Sequence, residues 1–156
     1  MPLQPPVQIA ALWLLVAVSS GAAQARPRFV NPSAMPASRG YTQLVEVPAG
    51  QRLLYLSGQV ALDSTGALVG GTEFRAQARQ VFENLRAGLA AAGASFADVV
   101  KLNYYILDVR HIPVLREVRD QYVNTAAPPA STLVEVRHLF RDDVLLEVEA
   151  IAAVRP

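Results

Sequence analysis

The stretch Val144-Leu145-Leu146-Glu147-Val148-Glu149-Ala150-Ile151-Ala152-Ala153-Val154 places two acidic residues inside an otherwise apolar run. Its length and its β-branched residues predict a strand, whose side chains alternate between the two faces of a sheet. One face is then wholly apolar, whereas the other carries Glu147 and Glu149. Because a buried carboxylate is costly unless it is paired or hydrogen-bonded, we expect the second face to line a cleft or an interface. An edge strand with a solvated face is the alternative.

Two segments have the periodicity of amphipathic helices. The first begins near Thr72, the expected N-cap, and ends at Gly93, which suits the residue just after a helix. The second runs from about residue 112 to residue 124, with Pro113 in its first turn, where proline is tolerated. The apolar stripe of the first helix is formed by Phe74, Ala78, Val81, Phe82, Leu85 and Leu89.

Four more strands are predicted, over residues 42–47, 53–57, 99–107 and 131–136, and the first two are expected to pair as a hairpin. The order β-β-α-β-α-β-β predicts an α+β domain with two helices packed on one face of the sheet. The helices can cover only that face. The face with Glu147 and Glu149 therefore favours an oligomer, with a cleft between subunits.

The beginning of the chain has the pattern of a secretory signal peptide. Residues 7–18 are apolar, and Ala23-Gln24-Ala25 is a small-x-small cleavage pattern. We predict a signal peptide over residues 1–25, an irregular lead-in over 26–39 and a single domain over 40–156. The mature protein would be periplasmic or secreted, with no membrane association. An uncleaved membrane anchor is the alternative, because the segment before the apolar run has no Lys or Arg.

Composition excludes several classes of function. Hydrophobic residues make up 52% of the 156 residues, charged residues 17%, and the net charge is +1. A nearly neutral chain with a single lysine has no basic surface for nucleic acid. Cysteine is absent, so thiolate ligands and disulfides are excluded. His111 and His138 are far apart in sequence, and neither belongs to a closely spaced pair of histidines that would indicate a metal site, so we expect no metal or cofactor.

The domain resembles the RidA/YjgF family (reactive intermediate deaminase A), from about residue 40 to residue 154. The resemblance is carried by Gly40-Tyr41-Thr42-Gln43, Ser57-Gly58-Gln59-Val60, Ala76-Gln77-Ala78-Arg79-Gln80, Glu83-Asn84-Leu85, Ala92-Gly93-Ala94, Asp98-Val99-Val100-Lys101, Tyr105-Ile106-Leu107-Asp108, Pro129-Ala130, Val134-Glu135-Val136 and Glu147-Val148-Glu149-Ala150-Ile151-Ala152. It implies a chorismate-mutase-like fold, a homotrimer and ligand sites at the subunit interfaces. Deaminases of this family hydrolyse imines and enamines to 2-keto acids and ammonia, without a metal.

The resemblance also implies roles for individual residues. Glu147 matches the family's catalytic glutamate, and Tyr41 and Ser57 match positions that line its cleft. Ser131 stands where the family's arginine holds the substrate carboxylate, so that ion pair is missing. Arg116 stands where active members often carry asparagine, and it is a candidate replacement for the lost cation, although a solvated helix residue is equally consistent with the sequence.

Two hypotheses remain open at this point. The protein is either an exported imine or enamine hydrolase, in which Glu147 orients water, or a non-catalytic trimer that binds a small molecule. The retained Glu147 favours hydrolysis, whereas the serine at position 131 favours binding or a different substrate.

Overall fold

A four-stranded mixed sheet with two helices is the centre of the computed structural model, which describes residues 25–155. In chain order the elements are β1 (Arg28–Val30), β2 (Leu44–Glu46), β3 (Arg52–Gln59), α1 (Phe74–Ala91), β4 (Val99–Ile106), α2 (Ile112–Arg119), β5 (Ala130–Glu135) and β6 (Leu146–Val154), with 3-10 turns at Phe96–Asp98 and Val109–His111. The predicted signal peptide lies outside the described residues, apart from Ala25. No helix within residues 25–155 is long and apolar enough to cross a membrane.

The strand order of the main sheet is β3-β6-β4-β5. Strand β6 is antiparallel to both β3 and β4, whereas β4 and β5 are parallel. Helix α2 therefore lies in the crossover that a parallel pair requires. This arrangement confirms the predicted α+β class with two helices on a single sheet.

The apolar face of β6 packs against the helices, as its alternation predicts. Leu146, Val148, Ala150 and Ala152 are buried, whereas Glu147, Glu149 and Ile151 on the other face are only partly covered. All six residues of the predicted α1 stripe are buried. We call the side of the sheet that packs on the helices the inner face, and the side that carries Glu147 the outer face.

Gln77 joins the start of α1 to the segment that leads into β6. Its side chain is fully buried, and its amide donates to the carbonyl oxygens of Gly71 (2.6 Å) and Asp143 (2.8 Å). Its side-chain oxygen accepts from the backbone N–H of Leu145 at 2.9 Å. One side chain therefore pairs three backbone groups that no helix or strand would satisfy.

The predicted hairpin between residues 42–47 and 53–57 is wrong. Strand β2 pairs instead with β1 in a separate two-stranded ribbon, and β3 pairs with β6. The segment 26–39, predicted to be irregular, accordingly contains the strand Arg28–Val30. The periodicity of a segment identifies a strand but not its partner, which is set here by contacts distant in sequence.

The ends of the helices also differ from the sequence predictions. Helix α1 begins at Phe74 after Glu73, without a side-chain cap, so Thr72 does not cap it. Helix α2 ends at Arg119 rather than near residue 124, because the following residues form 3-10-type bonds such as Tyr122 N–H to the Arg119 carbonyl. Gly93 does take the left-handed conformation expected after α1, with φ of 71°.

Candidate functional site

The first group of candidate residues lies on the outer face, around Glu147. Glu149 accepts hydrogen bonds from the side chains of Asn103 and Tyr105, each at 3.2 Å. Glu147 is partly buried and accepts no hydrogen bond within residues 25–155. Burial, and to a smaller extent the charge of Glu149, raises the pKa of Glu147 above its ordinary value. Glu147 is thus a carboxylate with free acceptor positions, whereas Glu149 is held by neighbours.

A β-bulge in β3 brings Gly58 to this carboxylate, and the preceding Ser57 lines a groove with Glu149. The register with β6 shifts between the pairs Leu56–Ala150 and Gln59–Val148, so the extra residue falls at Ser57 or Gly58. A Cβ atom at Gly58 would lie 1.7 Å from Oε1 of Glu147, which means that the carboxylate rests directly on the glycine. Only glycine permits this approach. Bulges occur often beside active sites, because they redirect the chain locally.

The second group of candidate residues lines a cavity of about 300 Å³ between α2, β5 and the segment before β2. Tyr41, Arg116 and Ser131 all contribute to its wall. The remaining lining residues are Arg39, Gly40, Tyr104, Ile112, Leu115, Arg119 and Leu133. Among the described residues, three arginines and no acidic residue line this cavity, so its chemistry favours an anion.

Thr42 anchors the segment that closes this cavity. Its hydroxyl donates to the carbonyl oxygen of Pro128 at 2.6 Å, and its backbone N–H donates to that of Pro129 at 3.2 Å. Thr42 also forms a parallel bridge with Ala130, at the start of β5. These contacts hold the preceding residue, Tyr41, beside Ser131.

Arg119 and Tyr104 belong to the same cavity and were not identified from the sequence. Arg119 is only 8% exposed, and its Nε and Nη2 donate to Oδ1 of Asp120 at 2.9 and 2.6 Å. The hydroxyl of Tyr104 is buried and makes no hydrogen bond of good geometry in the described part of the chain, although it lies close to the guanidinium of Arg119. The periodicity of β4 and of α2 places Tyr104 and Arg119 among the inward-facing residues, where ordinary core residues also lie. Only the shape of the cavity distinguishes them.

Within one subunit, the two groups lie on opposite sides of the sheet. Ser131 and Leu133 pair with Leu102 and Tyr104, whose side chains point to the inner face. Glu147 pairs with Tyr105, whose side chain points to the outer face. The structure therefore brings Tyr41, Arg116 and Ser131 together, and places Ser57 in a groove with Glu149 on the outer face.

The arrangement of two helices on a mixed four-stranded sheet is shared by solved structures of the Rid family. Among solved structures, a Rid family protein of unknown function from Yersinia pestis, YyfB, has a TM-score of 0.72 and 32% identity, over 82% of this chain and 98% of that one. YjgF of E. coli has a TM-score of 0.59 and 30% identity, over 70% of this chain and 85% of that one.

Sequence comparison defines the family. The family model described as Endoribonuclease L-PSP matches residues 32–154. A RutC family protein of Pyrococcus horikoshii is 41% identical over 113 residues, which cover 72% of this chain and 85% of the relative. The chain belongs to the RidA/YjgF family, as its sequence motifs predict.

Proposed function

We propose that this protein is a deaminase-type hydrolase of small imines or enamines, with its site formed between two subunits of a homotrimer. The observation that carries the proposal is the Glu147 carboxylate, which rests on Gly58 with its acceptor positions free and its pKa raised. A relative from Dermatophagoides farinae, 33% identical over 73% of this chain and 85% of its own, is a 2-iminobutanoate/2-iminopropanoate deaminase.

The separation of the two residue groups supports an intersubunit site. Glu147 and Ser57 lie on the outer face of the sheet, whereas Tyr41, Arg116 and Ser131 line the cavity on the other side. One subunit cannot present both groups to a single small ligand. Two subunits can, if the outer face of one packs next to the cavity of another.

In the proposed reaction, Glu147 acts on water. Its carboxylate accepts a proton from water as the water oxygen adds to the carbon of the C=N bond, and the nitrogen takes a proton from solvent. In the resulting carbinolamine, protonated Glu147 returns its proton to the amino nitrogen, the C–N bond breaks and ammonia leaves. The hydroxyl group gives its proton to solvent, so that a C=O bond remains. The raised pKa of Glu147 makes it a better proton acceptor than an ordinary carboxylate once it is ionised.

The test is imine hydrolysis by the purified protein. An amino-acid oxidase generates the imine, and semicarbazide traps what remains, so that hydrolysis appears as a faster loss of the trapped product. We expect the protein to accelerate this loss and Glu147→Gln to abolish the acceleration. Glu73→Gln is the matched control, because Glu73 is exposed and its side chain makes no capping bond.

The second candidate function is binding without catalysis, and Ser131 is the observation that favours it. A serine in the cavity provides no cation for a substrate carboxylate. If the unmodified protein does not accelerate imine loss but Ser131→Arg does, the fold binds another ligand and the hydrolase proposal is wrong.

We also propose that the protein is exported. The support is the sequence pattern alone, an apolar run over 7–18 followed by Ala23-Gln24-Ala25. N-terminal sequencing of the protein from its native cells should give Arg26 as the first residue. An intact Met1 in a membrane fraction would instead indicate an anchor.

A further inference from the structure

We propose that Arg119 and Tyr104 form the carboxylate-binding site of the cavity beside α2, and that its ligand is a small 2-imino or 2-oxo acid. These two residues would supply the recognition that a serine at position 131 cannot. The identification of this carboxylate as the substrate's own rests on the proposed function, whereas carboxylate binding in the cavity does not.

Arg119 is a buried cation with unused hydrogen-bond donors. Its hydrogen bonds of good geometry within residues 25–155 go from Nε and Nη2 to Oδ1 of Asp120, and the hydroxyl of Tyr104 is a further acceptor close to the guanidinium. A guanidinium has five N–H donors, so those on Nη1 make no hydrogen bond of good geometry there. Donors on a guanidinium that is only 8% exposed bind an anionic acceptor more strongly than donors in open water.

Tyr104 is a second donor, and its hydroxyl lies close to the guanidinium of Arg119. Its side chain is 3% exposed, and its hydroxyl makes no hydrogen bond of good geometry in the described region. Burial raises the pKa of Tyr104, and the charge of Arg119 offsets this only in part. The phenol therefore keeps its proton at physiological pH. A buried hydroxyl without a partner is rare and calls for an acceptor.

The surroundings select an acceptor that carries negative charge and is small. The cavity wall contains no acidic residue, and apolar side chains from α2 and β5 form much of it: Ile112, Leu115 and Leu133. A carboxylate has only acceptor positions, so it can receive bonds from both Arg119 and Tyr104. A cavity of about 300 Å³ is at the lower end of the usual range for ligand sites.

The position of Gly40 indicates that this arrangement is built into the fold. Gly40 has φ of 77°, and a Cβ atom there would lie 2.8 Å from Nη2 of Arg119. The backbone at Gly40 thus packs against the guanidinium, in a conformation that residues with a Cβ atom disfavour. Arg116, by contrast, is exposed on the same helix, so its charge is screened by water.

The experiment compares the binding of 2-oxopropanoate with that of its uncharged amide, by calorimetry at neutral pH. We expect the unmodified protein to bind the acid more tightly than the amide. Arg119→Gln should weaken acid binding by about tenfold to a hundredfold, since hydrogen bonds to charged groups contribute most. The amide should be little affected. Arg79→Gln, at an exposed site on α1, is the matched control.

Tyr104→Phe provides a test that does not depend on Arg119 folding correctly. It removes only a hydroxyl that makes no hydrogen bond of good geometry within residues 25–155, so the melting temperature should stay nearly the same. Binding of the acid should nevertheless weaken by about tenfold. A purely structural Tyr104 would leave binding unchanged.

Equal affinity for the acid and the amide would overturn the proposal, as would tight acid binding by both Tyr104→Phe and Arg119→Gln. Loss of acid binding in Arg116→Gln alone would transfer the role to Arg116 and also overturn it. Acid binding through Arg119 without imine hydrolysis would leave this inference standing while the proposed function fails. Hydrolysis whose KM is insensitive to Arg119→Gln would overturn this inference while the proposed function stands.

Discussion

Glu147 and Glu149 are two residues apart on one strand, and their surroundings give them different properties. Glu149 is held by Asn103 and Tyr105, whereas Glu147 rests on Gly58 without a hydrogen bond from residues 25–155. Burial and the neighbouring charge both favour the protonated form of Glu147. A carboxylate of this kind suits proton transfer, and a well-bonded carboxylate does not.

The pH dependence of activity should report on this pair of carboxylates. Since the ionised form of Glu147 is the proposed base, kcat/KM should fall as the pH decreases through its raised pKa. Glu149→Gln removes a nearby negative charge, so the pKa of Glu147 should decrease and the acidic limb of the profile should move to lower pH. The measurement is kcat/KM for imine hydrolysis as a function of pH. An acidic limb that stays in place would show that Glu149 does not influence the base.

Gly58→Ala should act on Glu147 through contact rather than through the backbone. Gly58 does not have a positive φ, so alanine is allowed there, but its Cβ would overlap the carboxylate. We expect at least a tenfold loss of kcat/KM, because a small displacement of a catalytic group is costly. Combining it with Glu147→Gln should cause little further loss, since both changes remove the same interaction. Additive losses would place Gly58 in a separate role.

The side chain of Gln77 joins the start of α1 to the segment before β6 through hydrogen bonds. Gln77→Leu keeps the approximate size of the side chain but leaves the carbonyls of Gly71 and Asp143 and the N–H of Leu145 unpaired. The free energy of unfolding should fall by about 3 kcal/mol or more. Chemical denaturation measures this, and Gln121→Leu, at an exposed position, should change it by less than about 0.5 kcal/mol. A small effect of Gln77→Leu would mean that water replaces the amide.

Elements with a strong period are predictable from the sequence, and pairings between them are less so. Helix α1 and strand β6 follow their patterns closely, because each buries one continuous apolar face. The short strands β1 and β2 have three residues each, too few to show a period. Their pairing depends on residues 14 positions or more apart, which no local pattern specifies.

The outer face of the sheet is the feature of the whole molecule that calls for a partner. Tyr55 is 74% exposed and Leu53 43% exposed, both on β3 and directed away from the helices. Tyr55 pairs with Ile151 on β6, so the apolar surface continues across two strands. Surfaces of this kind on a sheet usually mark an interface. We propose that they form part of the trimer contact.

Tyr55→Glu should therefore convert a trimer into monomers, because it places a charge in an apolar contact. Sedimentation equilibrium measures the molecular mass, and circular dichroism should show that the subunit remains folded. Imine hydrolysis should be lost together with the trimer. Val109→Glu, at an exposed apolar residue in the turn before α2, should leave the mass unchanged. A monomeric unmodified protein would contradict the proposed assembly.

Only some residues of the candidate site can be predicted from the amino-acid sequence. Glu147 is identifiable because an acidic residue interrupts an apolar strand, and Ser131 because its position matches a motif. Arg119 and Tyr104 are not, since an inward residue on a helix or strand is expected to be core. Recognising them requires the cavity, the exposed fraction of the guanidinium and the absence of a hydrogen bond of good geometry at the phenol within residues 25–155.

The location of Glu147 and of the arginine-lined cavity on opposite sides of one sheet has a genetic consequence. Suppose that each site takes Glu147 from one subunit and Arg119 from another. A Glu147→Gln chain then damages one half of the site, and an Arg119→Gln chain damages the other half. Dissociating and reassociating equal amounts of the two inactive proteins would rebuild intact sites at about a quarter of the interfaces. Activity recovered by mixing, and lost again when either variant is tested alone, would be complementation between alleles of a single gene.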